Sequence, residues 1–92
     1  MINKKKIVVI MPAFNAAQTL KNTFKDIPHD LVDQIILTND GSIDKTALIA
    51  QRLGITTFIH KENKGYGANQ KTCYREALKT DADIIIMLHP DY

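Results

Sequence analysis

Four short runs of branched apolar residues alternate with three segments of helical periodicity, and this alternation leaves few folds open to the chain. The runs cover roughly residues 6–11, 34–38, 55–59 and 83–88, and the helical segments cover 16–25, 45–53 and 68–79. Unbroken Ile, Val and Leu runs are typical of strands buried on both faces, and β-α alternation predicts a parallel sheet with helices on its faces. We therefore predict one α/β domain over residues 1–92, a three-layer Rossmann-like arrangement with strand order 3-2-1-4.

Composition narrows the classes of function. The formal charge of +2 is too small to predict nucleic-acid binding. Lys4, Lys5 and Lys6 form a basic cluster too short to indicate a membrane surface alone, since each basic residue contributes about 1 kcal/mol there. No apolar run approaches the ~20 residues of a membrane-spanning helix. The single cysteine, Cys73, allows no intrachain disulfide, fits a cytoplasmic location, and is expected to serve packing within the third helix.

Polar residues follow each predicted strand. They occupy residues 12–15, 39–42, 60–67 and 89–91. The carboxyl ends of parallel strands meet at one edge of a sheet, so these segments predict a ligand crevice along that edge. Asp40 is placed there to accept a hydrogen bond from a nucleotide base. Asp91 is placed to bind a divalent cation, which typically keeps substrate phosphates among its ligands.

Each of these features also has a plainer interpretation. Asp40-Gly41 alone is typical of a turn, Asp91 near the end of the chain is typical of a solvated side chain, and residues 64–67 alone would form a flexible loop. His60 and His89 are either metal ligands or surface residues. The convergence of the polar segments on one edge favours the ligand site.

Two familiar phosphate-binding motifs are absent. The first strand is followed by Pro12-Ala13-Phe14-Asn15 instead of a G-x-G-x-x-G fingerprint, and there is no Walker A loop. The same turn lacks the acidic residues of a phosphoacceptor receiver domain, so that class is disfavoured. Any nucleotide is therefore expected to bind in another way.

Local signals predict three details. Asn15 is expected to cap the first helix, and Ser42 or Asp44 the second. In the third helix, Tyr74, Ala77 and Leu78 are the expected buried positions.

Four motifs in order resemble family 2 glycosyltransferases, which have the GT-A fold. Residues 7–15 resemble the opening strand and P-A-Y-N turn of the family, and residues 35–46 resemble its V-D-D-G-S-x-D-x-T segment. Residues 63–69 resemble its N-x-G-x-G-x-A/N loop, and residues 87–91 stand where the family has its D-x-D motif. The subgroup that the motifs resemble most transfers mannose or glucose to polyprenyl (dolichol) phosphate.

The resemblance implies a role for each matching residue. The implied contacts to the nucleotide sugar come from Pro12, Ala13, Asn15, Asp40, Gly41, Lys64 and Gly65. Asp40 would bind the base, Gly41 would allow the backbone to approach closely, and Asp91 would hold Mg²⁺ or Mn²⁺ on the diphosphate. His89 is a second candidate ligand.

The chain departs from the family at three acidic positions. Ala16 stands where the family usually has Glu, and Asn39 and His89 stand where it has Asp. No general base can be named among these residues, so we expect no catalytic residue in this chain and interpret it as the truncated donor-binding part of a transferase, nearly inactive alone.

The implied partners are a GDP- or UDP-sugar and an acceptor that is a glycan or polyprenyl phosphate. The parent enzyme would lie in the cytoplasm or at the cytoplasmic face of the membrane, with peripheral association. The alternative is a non-catalytic nucleotide-binding or self-associating module of the same fold, in which exposed apolar surface drives association.

Overall fold

The computed structural model describes residues 5–90 and has, within that range, four strands and three helices. The strands are β1 (Ile7–Ala13), β2 (Gln34–Asp40), β3 (Thr56–His60) and β4 (Ile84–Met87), and the helices are α1 (Leu20–Asp26), α2 (Thr46–Arg52) and α3 (Tyr66–Leu78). All neighbouring strands are parallel, in the order β3-β2-β1-β4. The predicted fold class and strand order are confirmed.

The sheet separates two apolar cores. On one face, Val9, Met11 and Leu37 pack with residues of α1 and α2, among them Leu20 and Ala50. On the other face, Val8, Ile10 and Ile36 pack against Cys73 and Ala77 of α3. Helices therefore cover both faces, because the two crossovers from β1 to β3 lie on one side and the crossover to β4 lies on the other. Cys73 is fully buried, as expected, and burial raises the pKa of its thiol.

Strand β1 runs past the proline that was expected to stop it. Pro12 pairs with Thr38 of β2, whereas the pairing of β1 with β4 ends at Ile10 and Met87. The amide of Leu88 donates to the Ile10 carbonyl, so the backbone N–H and C=O groups of the even-numbered residues of β1 point toward β4. The backbone nitrogen of Pro12 points to the same side, beyond the end of β4, so its missing N–H removes no ladder hydrogen bond.

The first helix begins four residues later than predicted, and Asn15 does not cap it. Asn15 has φ 51°, and its side-chain oxygen accepts from the Ile43 amide at 3.0 Å. The Ala16 and Ala17 amides donate to the Thr46 hydroxyl and the Asp44 carboxylate, at 2.9 and 3.1 Å. Thr46, the first residue of α2, and Asp44, in the loop before it, thus bind amides near the predicted start of the first helix. Asp44 also accepts from the Thr46 amide at 3.0 Å, but the N-cap of α2 is Lys45, which makes no side-chain cap bond, and not Ser42 or Asp44 as predicted.

The predicted buried face of the third helix was wrong at two of three positions. Ala77 is buried, but Tyr74 is 41% exposed and Leu78 is 66% exposed. The helix starts two residues earlier than predicted and buries Asn69, Thr72, Cys73 and Ala77. Along its inner face, Asn69 and Thr72 bind polar groups near the strand ends, whereas Cys73 and Ala77 pack on the apolar core.

Among the described residues, no helix is long and apolar enough to span a bilayer.

Gly41 and Gly54 form a matched pair for testing whether the loop after β2 contacts the loop after β3. Both have positive φ, 69° and 81°, which disfavours a Cβ by about 1–2 kcal/mol. A Cβ at Gly41 would also lie 2.5 Å from the Asn63 amide nitrogen, whereas at Gly54 nothing lies within 4 Å. We expect Gly41→Ala to lower the free energy of unfolding by about 1–3 kcal/mol more than Gly54→Ala, measured by urea denaturation. Equal losses of stability would show that the loops after β2 and β3 are not in close contact at Gly41.

Candidate nucleotide site at the carboxyl edge of the sheet

A cavity of about 220 Å³ opens at the carboxyl ends of β1 and β2, beside the start of α3. Its lining residues are Pro12, Ala13, Phe14, Asp40, Asn63, Gly65, Tyr66 and Asn69. The fold thus brings together four of the residues assigned to nucleotide binding, namely Pro12, Ala13, Asp40 and Gly65. The other three, Asn15, Gly41 and Lys64, lie in the adjoining loops and do not line the cavity.

Asp40 ends β2 and is 2% exposed. One carboxylate oxygen, Oδ1, accepts from the Lys64 amide at 2.8 Å and from the His60 ring at 2.9 Å. The other, Oδ2, accepts from the Gly65 amide at 2.9 Å. These amides belong to the residues just before α3, where the positive end of the helix dipole favours an anion. Asp40 therefore lies beside amides at the start of α3.

These contacts set the ionisation of Asp40. Burial raises its pKa, but the hydrogen bonds from the Lys64 amide, the His60 ring and the Gly65 amide together outweigh burial and hold the pKa below the ordinary value of 3.8. The carboxylate is thus charged at neutral pH and is an acceptor only. Two donors occupy Oδ1 and one occupies Oδ2, so the remaining acceptor capacity of Asp40 lies on Oδ2.

His60 is the residue of this cluster whose role the sequence left open between metal ligand and surface residue. It pairs in register with Asp40 at the end of β3. Its second ring nitrogen, Nε2, lies 2.8 Å from the Thr72 hydroxyl of α3. The described residues contain no group of three His, Cys, Asp or Glu side chains placed to hold a metal ion. His60 is partly buried, and both of its ring nitrogens have hydrogen-bond partners.

Asn69 closes the floor of the cavity. It is 2% exposed, and its amide nitrogen donates to the Thr38 carbonyl at 3.1 Å and to the Ala13 carbonyl at 3.3 Å. The side chain thus links α3 to the backbones of β1 and β2 near their carboxyl ends. A stripe of small and polar residues at three- and four-residue spacing in the third helix was the signal that could have revealed it.

Asn39, in place of the family's usual acid, binds within its own loop. Its side-chain oxygen accepts from the Ser42 amide at 3.3 Å and from the Ser42 hydroxyl. The Ser42 hydroxyl oxygen in turn accepts from the Asn15 amide at 2.8 Å. The loops after β1 and β2 are therefore joined by side chains, and Asn15 and Gly41 shape this joint.

Phe14 and Tyr66 bring exposed aromatic rings to the cavity, and neither was predicted as a site residue. They are 41% and 55% exposed. The Tyr66 hydroxyl lies 3.1 Å from Nε2 of His89, and the two rings lie 5.6 Å apart between centroids. His89 thus has Tyr66 as a partner in the described residues. Asp91, the predicted metal ligand, lies outside the described residues.

The parallel sheet, the crevice at its carboxyl edge and the buried acid at the end of β2 define an α/β protein with the crevice in which open parallel sheets bind ligands. The sequence profile described as glycosyl transferase family 2 matches residues 8–92. The chain belongs to glycosyltransferase family 2.

Two curated relatives extend beyond this chain. It is 36% identical over 90 residues to an uncharacterized protein of Methanocaldococcus jannaschii, covering 98% of this chain and 37% of that protein. It is 28% identical over 104 residues to a UDP-N-acetylglucosamine–dolichyl-phosphate N-acetylglucosaminyltransferase of Methanococcus voltae, covering 95% of this chain and 41% of that enzyme. The chain therefore spans about two fifths of the length of these relatives.

Solved structures confirm the GT-A fold. Glucosyl-3-phosphoglycerate synthase of Mycobacterium tuberculosis, in complex with Mn²⁺, UDP-glucose and phosphoglyceric acid, matches with a TM-score of 0.77 and 25% identity. The match covers 95% of this chain and 33% of that one. The same enzyme in complex with UDP matches with a TM-score of 0.79 and 24% identity, covering 97% and 35%.

Replacing the Asp40 carboxylate tests its role as an anchor. Asp40→Asn should lower the free energy of unfolding by about 1–3 kcal/mol at pH 7, because the new NH₂ group would face an N–H donor. The folded-state pKa is depressed, so this contribution is present above the ordinary value of 3.8 and is lost as the pH falls through the folded-state pKa. Urea denaturation should therefore show the two proteins converging below about pH 4. The control is Asp30→Asn, at an exposed position of the connector after α1. A wild-type advantage that is the same at pH 7 and at pH 2.5 would contradict this anchor.

Proposed function

We propose that this chain is the donor-binding part of a glycosyltransferase that transfers a sugar from a nucleoside diphosphate to an acceptor. The observation that carries the proposal is the cavity at the carboxyl edge, with an ionised, buried Asp40 in its wall. The remaining acceptor capacity of Oδ2 suits an N–H of a base. Stacking of the base on an exposed ring such as Phe14 or Tyr66 contributes about 1–3 kcal/mol to the binding free energy. Asp40 binds the base, and Pro12, Ala13 and Gly65 line its pocket.

A divalent cation, Mn²⁺ or Mg²⁺, belongs to this proposal. Asp91 is its ligand from this chain, with His89 as a second candidate, and the diphosphate oxygens supply further ligands. Such an ion neutralises charge that develops on the departing diphosphate. An imidazole ligand would favour Mn²⁺, since nitrogen suits the later metals better. Asp40 is not proposed as a ligand, because its carboxylate accepts from the Lys64 and Gly65 amides.

Two of the similar proteins support a choice of donor and acceptor. A UDP-sugar is the favoured donor, because the Methanococcus voltae enzyme has UDP in its name and the Mycobacterium tuberculosis synthase has UDP in its complexes, and a GDP-sugar is the alternative. Polyprenyl phosphate is the favoured acceptor on the strength of the dolichyl-phosphate enzyme, with a glycan as the alternative. We place the reaction in the cytoplasm, with peripheral membrane association of a full-length enzyme, and the general base outside these residues.

Isothermal titration with UDP and with GDP, each with and without Mn²⁺, tests the proposal. We expect UDP to bind with a Kd of about 1 mM or tighter when Mn²⁺ is present. Asp91→Asn should abolish most of the gain from Mn²⁺, about tenfold in affinity, because a cation ligand is lost. The matched control is Asp30→Asn, which should bind like wild type. Absence of heat for either nucleotide at several millimolar, with and without Mn²⁺, would overturn the proposal.

A self-associating module is the second candidate, and the edge of the sheet favours it. Among residues 5–90, strand β4 pairs with β1 alone, and its Ile84 and Ile86 are 39% and 43% exposed. An apolar groove of about 270 Å³ lies beside it, lined in part by Val9, Ile27 and Leu88. Exposed apolar edge strands pair readily with other chains. Light scattering distinguishes the two candidates, since a monomer that binds UDP supports the first and a dimer that does not supports the second.

A further inference from the structure

We propose that His60 is a positioning residue for the nucleotide site. It holds the Asp40 carboxylate so that the oxygen Oδ2 remains available to a ligand. The side chain of His60 is 10% exposed and lies between two elements. Its Nδ1 atom is 2.9 Å from Oδ1 of Asp40, and its Nε2 atom is 2.8 Å from the hydroxyl of Thr72 in α3.

The proton on the imidazole follows from its partners. Asp40 is ionised and can only accept, so Nδ1 of His60 must be the donor. The Thr72 hydroxyl lies 3.2 Å from the Ala68 carbonyl and is both a donor and an acceptor. Thr72 can therefore donate to Nε2 of a neutral ring or accept from a protonated one. The bond from Nδ1 to Asp40 is kept in both states, because Thr72 adjusts to either.

This bond determines which carboxylate oxygen can bind a ligand. His60 and the Lys64 amide together occupy Oδ1, whereas the Gly65 amide alone contacts Oδ2. Without the His60 donor, Oδ1 would regain acceptor capacity and the carboxylate would lose a fixed point that opposes rotation. The Lys64 and Gly65 amides, which bind the same carboxylate, would shift with it. The wall of the cavity at Gly65 therefore depends on a histidine that does not line it.

Two polar variants separate the two contacts of the ring. The amide of Asn reaches about as far as Nδ1 and can still donate to Asp40, whereas the amide of Gln reaches toward Thr72. His60→Leu removes both contacts. His29→Asn is the matched control, since His29 is exposed in the connector at the opposite edge of the sheet and bonds only to the Phe24 carbonyl in the described residues.

The experiment has one readout without ligand and one with UDP and Mn²⁺. In ¹⁵N NMR spectra of the free proteins, the Lys64 and Gly65 amide resonances should move strongly in His60→Leu and His60→Gln, and little in His60→Asn and His29→Asn. UDP affinity should fall about tenfold in His60→Leu and His60→Gln, as expected for a lost bond to a charged group, and by less than about threefold in His60→Asn.

The effect on affinity rests on the proposed function, whereas the amide resonances do not. If wild type binds no UDP, the proposed function fails, and the Lys64 and Gly65 resonances still decide the role of His60. Unmoved resonances in His60→Leu would overturn the inference. If His60→Leu does not fold, the comparison of the Asn and Gln variants replaces it. Equal UDP affinity in those two variants, or equal resonance shifts, would overturn the inference, because the rescue by Asn would be missing.

Discussion

The buried carboxylate of Asp40 is the group on which the carboxyl edge of this fold depends. An ionised side chain removed from water is tolerated only when hydrogen bonds replace its hydration. Here the replacement comes from two amides before α3 and from the ring of His60. The same bonds that make burial of the charge acceptable also fix residues 63–65 next to β2. One interaction therefore stabilises the loop and forms a wall of the cavity.

The other contacts at this edge hold the strand ends and their loops together. Asn69 is buried and binds the carbonyls of Ala13 and Thr38, near the carboxyl ends of β1 and β2. The loops after β1 and β2 are joined through Asn15 and Ser42, and Gly41 lets the backbone at Asn63 approach within a distance that no Cβ would permit. The edge is thus preorganised by polar contacts, which suits a site that must bind a charged and polar ligand.

The fold was predictable because its signals are apolar and periodic, and the placement of Asp40 followed because parallel strands bring their carboxyl ends together. The inner face of α3 was not predictable, because Asn69 and Thr72 are buried for the hydrogen bonds they make. Apolar periodicity favours Tyr74 and Leu78 instead. The Asn15 cap was wrong for a related reason, since the Ile43 amide from a distant loop binds its side chain. Local patterns do not contain such long-range partners, and the role of His60 escaped prediction in the same way.

A nucleoside diphosphate that binds at the carboxyl edge of the sheet must protect the backbone there. Hydrogen-exchange mass spectrometry with saturating UDP and Mn²⁺ reports which backbone segments a ligand protects. We expect slower exchange in peptides that cover residues 12–16, 39–42 and 61–66, with no change in the connectors 27–33 and 53–55 at the opposite edge. Protection confined to those connectors, or no protection anywhere at saturating UDP, would contradict it.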